Sequence, residues 1–449
     1  MFTDLSSSLD LIENFLWSYL GVPIVMALGL YLSCKSRFFQ VRGLPTVFKT
    51  FYALLRHSSS QQSGGVHPIK TFFAAVGGCV GIGNIVGVCT AVQLGGPGAL
   101  FWLWITALFG MVLKYSEVYL GMRYRVSNGQ GGYRGGPMYF LQAVFRNSWI
   151  PQFVCLLLCI YGVEVYQFSV VSTSISQNFG WHPYPVIGGL LLLVILAGSG
   201  GVKRVGTISS ASLPLFVFLY VGMGSWVLIQ NIGALPSVLQ LVLTSAFTGH
   251  AAVGGFIGAG LMTTMSHGIR RGCYTGDVGV GYASVIHSET SVQKPEQQAS
   301  LAIFDIFLDT FIVCTTSLLL ILITDVWKEP LEAGMLVQTV LGNYFPYMNF
   351  FMPFFLFLLG YNTINAYFCV GIKCAEHLSP RFGKAIYYAY AVSALLLFSF
   401  LGTGEAQAVM AIAGVSLLII NGTAIFLMRN EIGFDLKASP ALQPQTELA

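Results

Sequence analysis

Residues 74–83 have the sequence AAVGGCVGIG, and residues 251–260 have the closely similar sequence AAVGGFIGAG. Each stretch lies in a long apolar run and carries four glycines within seven residues. Such glycine density weakens a helix and frees backbone N–H and C=O groups, which inside a membrane must be satisfied around a cavity. The same interruption in two places is typical of an internal inverted repeat. The alternatives are chance and close helix packing through glycine.

Composition places the whole chain in a membrane. Of its 449 residues, 55% are hydrophobic and only 9% are charged, whereas soluble domains carry roughly 25% charged residues. The run Val205–Ile269 contains no Asp, Glu, Lys or Arg. Its nine cysteines are scattered without metal-ligand spacing. These features exclude a soluble, disordered, nucleic-acid-binding or disulfide-stapled protein and predict an all-α polytopic membrane protein.

Eleven apolar runs are long enough to predict transmembrane helices. Lys and Arg cluster between alternate runs, which predicts an outside N-terminus and a cytoplasmic C-terminus. This assignment places Lys35, Arg270 and Arg271 together on the cytoplasmic side. The predicted runs are 14–34, 69–92, 97–122, 150–177, 184–199, 207–229, 249–269, 299–324, 346–374, 385–402 and 406–428.

These runs divide the chain into four parts. Residues 1–68 form an extra N-terminal transmembrane helix followed by a basic, aromatic-rich interfacial segment. Residues 69–229 and 245–428 are then two inverted five-helix repeats, and each would begin with a broken helix. Residues 429–449 form a cytoplasmic tail.

Two helix breaks that meet in mid-membrane would have a defined chemistry. The N-terminal end of a half-helix offers unpaired N–H groups and a positive dipole end to a carboxylate. The C-terminal end offers carbonyl oxygens to Na⁺ or to an ammonium group. Asn84, directly after the first glycine-rich stretch, adds an amide that binds an ion or simply caps the helix.

Several longer motifs resemble the alanine or glycine:cation symporter family of bacteria and archaea. They are VGIGNIVGV (80–88), GGPGALFWLWITALFGMVLKYSEVYLGMRYR (95–125), GGPMYFL (135–141), SAFTGHAAVGGFIGAG (245–260) and GIKCAEHL (371–378). The resemblance covers nearly the whole chain. It implies the leucine-transporter-like fold, with a core of ten helices whose first and sixth members are broken.

The same resemblance implies a set of site residues. Residues expected to contact the substrate amino acid are Gly81, Gly83, Asn84, Gln167, Phe256, Gly258, Thr363 and Tyr367. Residues expected to hold a sodium ion are Gly77, Val80, Asn362 and Thr363. No organic cofactor is implied.

The chain departs from the family pattern around this expected pocket. The family sequence near GNMVQAN is VEVYQFS (163–169) here, NEAGLGSAP becomes GDVGVGYAS (276–284), and FSTILGWSY becomes GYNTINAYF (360–368). Glu164 therefore replaces an asparagine three residues before Gln167, on the same helix face. It is a candidate coupling acid or ammonium ligand, and the alternative is a structural carboxyl near a helix end.

Other ionisable residues within the spans have mainly structural interpretations. We expect Asp305 and Asp309 to be interfacial charges, although a paired acid/base role is the alternative. Lys114 and Glu117 should pair with each other or with a neighbour. His250 and His267 should lie near the two interfaces, and pH sensing is the less favoured alternative.

Together these features predict a non-enzymatic secondary transporter of the bacterial plasma (inner) membrane. The leading hypothesis is sodium-coupled symport of a small neutral amino acid, of the alanine or glycine type, by alternating access. One alternative is a proton-coupled amino-acid transporter with an altered substrate range. Alternatives of other classes are an integral-membrane transferase and a channel. The expected partners are the amino acid and the lipid bilayer, without nucleic acid, and the sequence does not fix the oligomeric state.

Overall fold

The computed structural model describes residues 2–56, 64–145, 147, 149–248, 260–400 and 404–436, and it is almost entirely helical. One two-stranded antiparallel hairpin pairs Val126–Ser127 with Tyr133–Arg134. The α-helices are Phe2–Leu16, Val22–Lys35, Phe39–Arg42, Leu44–Leu55, Pro68–Cys79, Gly87–Gly95, Ala99–Arg123, Pro137–Val144, Trp149–Tyr161, Val165–Phe179, Pro183–Gly198, Gly201–Gln230, Leu235–Thr248, Leu261–Gly276, Tyr282–His287, Pro295–Ile306, Thr315–Ile323, Ala333–Gly342, Met348–Leu378, Gly383–Phe400 and Gly404–Leu427. Short 3₁₀ turns are Ile82–Asn84, Ile232–Ala234 and Val326–Lys328, and π-helical segments are Trp17–Gly21 and Phe307–Cys314.

Eight helical stretches in the described residues are long and apolar enough to cross a membrane, and one bent pair makes nine. This confirms the prediction of an all-α polytopic membrane protein. The predicted count of eleven stays a prediction, because Pro183–Gly198 is short and the run 249–269 is described only from residue 260. The eight are Ser8–Lys35, Ala99–Arg123, Trp149–Phe179, Gly201–Gln230, Pro295–Ile323, Met348–Leu378, Gly383–Phe400 and Gly404–Leu427.

The bent pair contains the first glycine-rich stretch. Helix Pro68–Cys79 ends there, and the chain resumes at Ile82 with its axis turned by 57°. Gly81 adopts an extended conformation (φ −123°, ψ −167°) between the two halves. We call residues 80–86, between helices Pro68–Cys79 and Gly87–Gly95, the first break. The glycine density therefore interrupts the helix as the sequence predicts.

A second interruption lies at residues 277–281, which we call the second break. Asp277, Gly279 and Gly281 all have positive φ angles, of 48°, 73° and 99°. Left-handed backbone ends a helix and is tolerated best by glycine, so helix Leu261–Gly276 stops and the short helix Tyr282–His287 follows. The stretch that the sequence favoured, 251–260, lies outside the described residues except for Gly260, which is exposed.

The helices beside the two breaks, Pro68–Cys79 and Tyr282–His287, are in direct contact. Gly78, near the end of the first half-helix, faces Tyr282, and a Cβ at position 78 would lie 2.0 Å from the Tyr282 hydroxyl oxygen. That hydroxyl donates a hydrogen bond to the Ala74 carbonyl over 3.2 Å. Glycine at position 78 therefore permits a close approach that fixes the two interrupted helices side by side.

One predicted placement of charge is wrong. Arg270 forms an ion pair with Glu13 and donates to Asn14 over 2.9 Å. Glu13 lies about 33 Å along the helical run Ser8–Lys35 from Lys35, at 1.5 Å per residue. Arg270 and its neighbour Arg271 are therefore not on the Lys35 side. The error arose because the apolar run was taken to end at residue 269, whereas its helix continues to Gly276.

Candidate functional site

A cavity of about 490 Å³ reaches the first break from the side of the protein where Glu13 and Arg270 lie. Both polar and apolar side chains line it. Five of the predicted substrate-binding and coupling residues are among them, namely Gly81, Gly83, Glu164, Gln167 and Tyr367. The others that matter below are Cys79, Tyr161, His267, Arg271, Tyr274 and Thr275.

Side-chain oxygens accept hydrogen bonds from two backbone amides of the first break. The Gly81 amide donates to the Asn84 side-chain oxygen over 2.9 Å. The Ile82 amide donates to the Gln167 side-chain oxygen over 3.1 Å. Both acceptors are neutral amides, and a carboxylate would accept stronger, charge-assisted bonds from the same donors. The break thus presents two adjacent N–H groups of the kind that a substrate carboxylate requires.

Thr363 and Asn362 lie against helix Pro68–Cys79, just before the first break. The Thr363 hydroxyl donates to the Gly77 carbonyl over 2.9 Å. The Asn362 side-chain oxygen accepts from Ser209 and Ser212 over 3.0 and 3.1 Å. Sequence reasoning missed the two serines because single serines in helix Gly201–Gln230 carry no distinguishing motif. The result is a cluster of uncharged oxygens beside the helix end.

Glu164 interrupts a third helix. It separates Trp149–Tyr161 from Val165–Phe179 and is 7% exposed. Gln167 donates to its carboxylate over 3.1 Å, so the predicted shared helix face is confirmed. Glu164 therefore lies beside the residue that contacts the Ile82 amide, at the wall of the cavity.

Asn84 bonds to an aspartate that was expected at the membrane surface. Its side-chain amide nitrogen donates to the Asp309 carboxylate, and its backbone carbonyl accepts from the Ser317 hydroxyl over 2.6 Å. Asp305 and Asp309 are both 0% exposed, so the prediction of interfacial charges is wrong. The helical run that carries them begins at Pro295, which puts Asp305 and Asp309 about 15 and 21 Å along it.

Lys114 makes its ion pair with another helix. Its ammonium nitrogen lies 2.5 Å from Asp305 and donates to the Cys79 sulfur over 2.8 Å. Glu117 instead accepts from the backbone amides of Gly281 and Ser284, over 3.1 and 3.2 Å. The prediction offered two pairings, Lys114 with Glu117 or with a residue of a neighbouring helix. The structure has the second, between Lys114 and Asp305.

Tyr367 connects the cavity wall to the second break. Its hydroxyl donates to the Asp277 carboxylate, and its ring stacks on Tyr282 with centroids 4.2 Å apart. Asp277 was missed as a site residue. The available signal was its position in GDVGVGYAS, where a lone acid precedes two glycines in a span without other carboxylates. Of the remaining predicted residues, His267 lines the cavity, Gly77 and Val80 lie behind it, and Phe256, Gly258 and His250 lie outside the described residues.

The opposite side of the protein is closed by what we call the inner clasp, formed by Val66, Arg125, Lys373 and residues 288–292. Val66 exchanges backbone hydrogen bonds with Glu289 and Ser291, each of 2.8 Å. Lys373 forms an ion pair with Glu289.

Arg125 completes the inner clasp. Its guanidinium donates to the carbonyls of Ser288, Thr290 and Val292, over 3.2, 2.8 and 2.8 Å. Burial lowers the pKa of the Arg125 guanidinium to about 10. It therefore still carries its charge at neutral pH.

Interrupted helices in contact at the floor of a cavity, open on one side and closed on the other, define a multi-pass membrane protein of the secondary-transporter class. The sequence profile of the Sodium:alanine symporter family matches residues 2–438. The chain belongs to this family of cation-coupled amino-acid symporters. The predicted family resemblance and the prediction of a transporter are confirmed, and the transferase alternative is excluded by family membership.

Individual proteins agree with this assignment. The chain is 32% identical to the uncharacterized transporter YflA of Bacillus subtilis (strain 168), over 94% of this chain and 90% of that protein. It is 28% identical to the sodium/alanine symporter AgcS of Methanococcus maripaludis, over 86% of each. The crystal structure of MhsT in complex with L-phenylalanine covers 82% of this chain and 90% of its own, with 14% identity and a TM-score of 0.57. That likeness supports the leucine-transporter-like fold.

Proposed function

We propose that the protein carries a small neutral amino acid together with Na⁺ across the bacterial plasma membrane by alternating access. The observation that carries the proposal is the first break. Gly81 lies at the cavity, and the neighbouring Ile82 amide donates to Gln167, which lines the cavity. The Gly77 carbonyl, near the end of helix Pro68–Cys79, accepts from the Thr363 hydroxyl. The proposal includes eleven spans in two inverted repeats (69–229 and 245–428), with the N-terminus outside and the C-terminus in the cytoplasm.

The substrate carboxylate would bind at the amides of Gly81 and Ile82. There it would replace the side-chain oxygens of Asn84 and Gln167, which now accept from these amides. Both side chains stay close enough to bond to the bound amino acid. The gain comes from exchanging neutral acceptors for a charged one in a buried site. The substrate needs no cationic side chain for its carboxylate, as expected at a helix terminus.

The sodium ion would bind between the Gly77 and Val80 carbonyls and the side chains of Asn362 and Thr363. Thr363 already lies 2.9 Å from the Gly77 carbonyl. Ser209 and Ser212 support the site by holding Asn362 in place. Carbonyl, amide and hydroxyl oxygens are the donors that unwound transporter helices offer to Na⁺. An ion at this position would stabilise the broken helix in the conformation that also exposes the amides.

Transport would follow from the arrangement of the cavity and the inner clasp. With the clasp closed, the cavity is open on the Glu13 side, which is the outside in the proposed orientation. Binding of both solutes would favour closure of that side and release of the clasp. The solutes shift the equilibrium only by their differential affinity for the two states.

Uptake by purified protein in proteoliposomes tests the proposal. Labelled alanine, glycine and a panel of neutral amino acids of both enantiomers are offered with an imposed Na⁺ gradient, an imposed H⁺ gradient, or neither. Saturable uptake of a small neutral amino acid that requires the Na⁺ gradient is the expected result. If no amino acid is accumulated under any gradient, the proposal is wrong.

A second candidate, proton-coupled transport, is favoured by Glu164. This carboxyl lines the cavity, is 7% exposed and bonds to Gln167, which contacts the first break. The same uptake assay with Glu164→Gln separates the candidates. Accumulation driven by H⁺ in the native protein and lost in the variant supports proton coupling through Glu164. Unchanged uptake, pH dependence and substrate range remove it from the mechanism.

A further inference from the structure

Three aspartates and one lysine are buried together between the two breaks. Asp305, Asp309 and Lys114 are 0% exposed and Asp277 is 1% exposed. We call these four residues with Cys79 the aspartate cluster. Three carboxylates against one ammonium leave an excess of negative charge, and a buried carboxylate without a counter-charge is very costly. The cluster therefore needs further positive charge.

Lys114 forms an ion pair with one of the three carboxylates. Its ammonium lies 2.5 Å from an oxygen of Asp305, and the other Asp305 oxygen has no hydrogen-bond partner among the described residues. Asp309 accepts from Asn84 and from the Thr310 hydroxyl, which are neutral donors. Among the described residues Asp277 likewise accepts only from neutral donors, so neither Asp277 nor Asp309 forms an ion pair there.

Asp277 is the carboxylate that hydrogen bonds connect to the cavity. One of its oxygens accepts from Tyr367, with the Tyr161 hydroxyl 3.5 Å away, and both tyrosines line the cavity. Its other oxygen accepts from the Cys79 thiol over 3.1 Å. Cys79 in turn accepts from Lys114 over 2.8 Å. A continuous chain of hydrogen bonds thus runs from the cavity wall through Asp277 to the buried ammonium.

We infer that Asp277 is a proton-binding site, distinct from Glu164, and that occupancy of the cavity controls its protonation. A proton from water or buffer in the cavity binds one Asp277 oxygen, no other covalent bond changes, and the cluster loses one negative charge. The link to occupancy rests on the proposed function: an amino acid at the first break contacts Tyr367 and draws its hydroxyl from Asp277. Losing that donor favours the protonated carboxyl.

Charged and titratable side chains on the helices packed around Asp277 affect whether its carboxylate binds a proton. Glu117 is held by two backbone amides and Glu164 by Gln167, so neither supplies a counter-charge. The titratable neighbours are Cys79, Lys114, Glu117, Tyr161, Glu164, Tyr282, Asp305, Asp309 and Tyr367. Lys114 is the one cation of this set, which is drawn from the described residues.

Infrared difference spectroscopy of the purified full-length protein tests the proton site without any substrate. Spectra are compared between mildly alkaline and mildly acidic buffer. We expect a protonated-carboxyl band that Asp277→Asn removes and Glu164→Gln leaves in place. A band that is undiminished in Asp277→Asn, or that disappears entirely in Glu164→Gln, overturns the inference.

A second pair of variants covers the case in which Asp277→Asn does not fold. Cys79→Ala keeps all three carboxylates but breaks the chain of hydrogen bonds, so the pH at which the band is half formed should change. Cys89→Ala is the matched control, because Cys89 is also buried but donates only to the Ile85 carbonyl. Equal behaviour of Cys79→Ala and the native protein overturns the inference.

The link to occupancy is tested with L-alanine and a pH-indicator dye in weakly buffered detergent solution. We expect native protein and the Cys89→Ala control to take up protons on adding L-alanine, and Asp277→Asn to take up none. Binding of L-alanine to native protein without proton uptake overturns this link. If no amino acid binds at all, the proposed function fails, while the substrate-free spectra still decide whether Asp277 binds a proton.

Discussion

The Thr363 hydroxyl lies 2.9 Å from the Gly77 carbonyl oxygen, across the end of the first half-helix. This contact joins helix Met348–Leu378 to the broken helix at the point where its carbonyls lose their helical partners. It is a direct contact between two residues of the proposed sodium site, and it therefore gives a direct test of that site.

Thr363→Ala should weaken the dependence of uptake on Na⁺. Loss of one hydroxyl ligand removes about 0.5–1.5 kcal/mol, which corresponds to a rise of up to about tenfold in the Na⁺ concentration for half-maximal uptake. Thr363→Ser keeps the hydroxyl and is the matched control. Equal Na⁺ dependence in the alanine variant and the native protein would contradict the assigned ligand.

Gly81→Ala should abolish substrate binding while leaving the protein folded. A Cβ at this position would lie 2.7 Å from the Thr363 hydroxyl and 2.8 Å from the Gln167 side-chain oxygen. It would therefore displace the groups that surround the first break. Gly222→Ala, in a helix position with open space around it, is the control. Binding is measured with labelled amino acid, and stability by thermal unfolding.

Lys114→Met should destabilise the protein strongly, because it leaves Asp305 buried without its counter-ion. Removing one partner of such a pair costs about 3–5 kcal/mol. The double variant Lys114→Met/Asp305→Leu should regain much of this loss, since replacing both charges avoids the unpaired carboxylate. Thermal unfolding of the single and double variants gives the coupling energy. Additive losses would show that the pair is not coupled.

Glu289→Gln should open the inner clasp. Glu289 holds Lys373 through its side chain and Val66 through its backbone, so loss of its charge weakens one of the two links. The measurement is labelling of Cys79 by an impermeant thiol reagent from the clasp side, in a Cys34→Ser background because Cys34 is the exposed cysteine. We expect labelling several-fold faster than in that background.

The control for this experiment is Glu431→Gln. Glu431 forms a partly exposed ion pair with Arg123. The Glu431 side chain is 37% exposed and the Arg123 side chain is 38% exposed. Exposed pairs of this kind contribute little, so labelling should not change. Faster labelling in both variants would point to a general loss of stability instead of clasp opening.

The sequence predicted the first break well because its cause is local. Glycine density around Gly77 and Gly81 weakens the helix at that point of the chain. Gln167 and Glu164 were also placed together, since three residues along a helix fix a shared face. Both predictions depend on short-range geometry alone.

The burial of Asp305 and Asp309 could not be predicted from short-range sequence geometry. Their depth depends on where the helical run begins, and Pro295 precedes the apolar segment by several polar residues. Partners such as Lys114 and Asp305 are 191 positions apart, so their pairing follows from tertiary packing. The break at Asp277 was missed because its glycines alternate with valines and resemble an ordinary packed helix.

The contact between Gly78 and Tyr282 should make the two broken helices move as one rigid unit. The Tyr282 hydroxyl oxygen lies in the space beside Gly78 that a Cβ would need. We therefore expect that neither helix can slide along the other unless the two first move apart. Any rocking motion must then carry both together, and the hinges must lie farther out along the chain. A larger residue at position 78 would therefore require a smaller one at position 282.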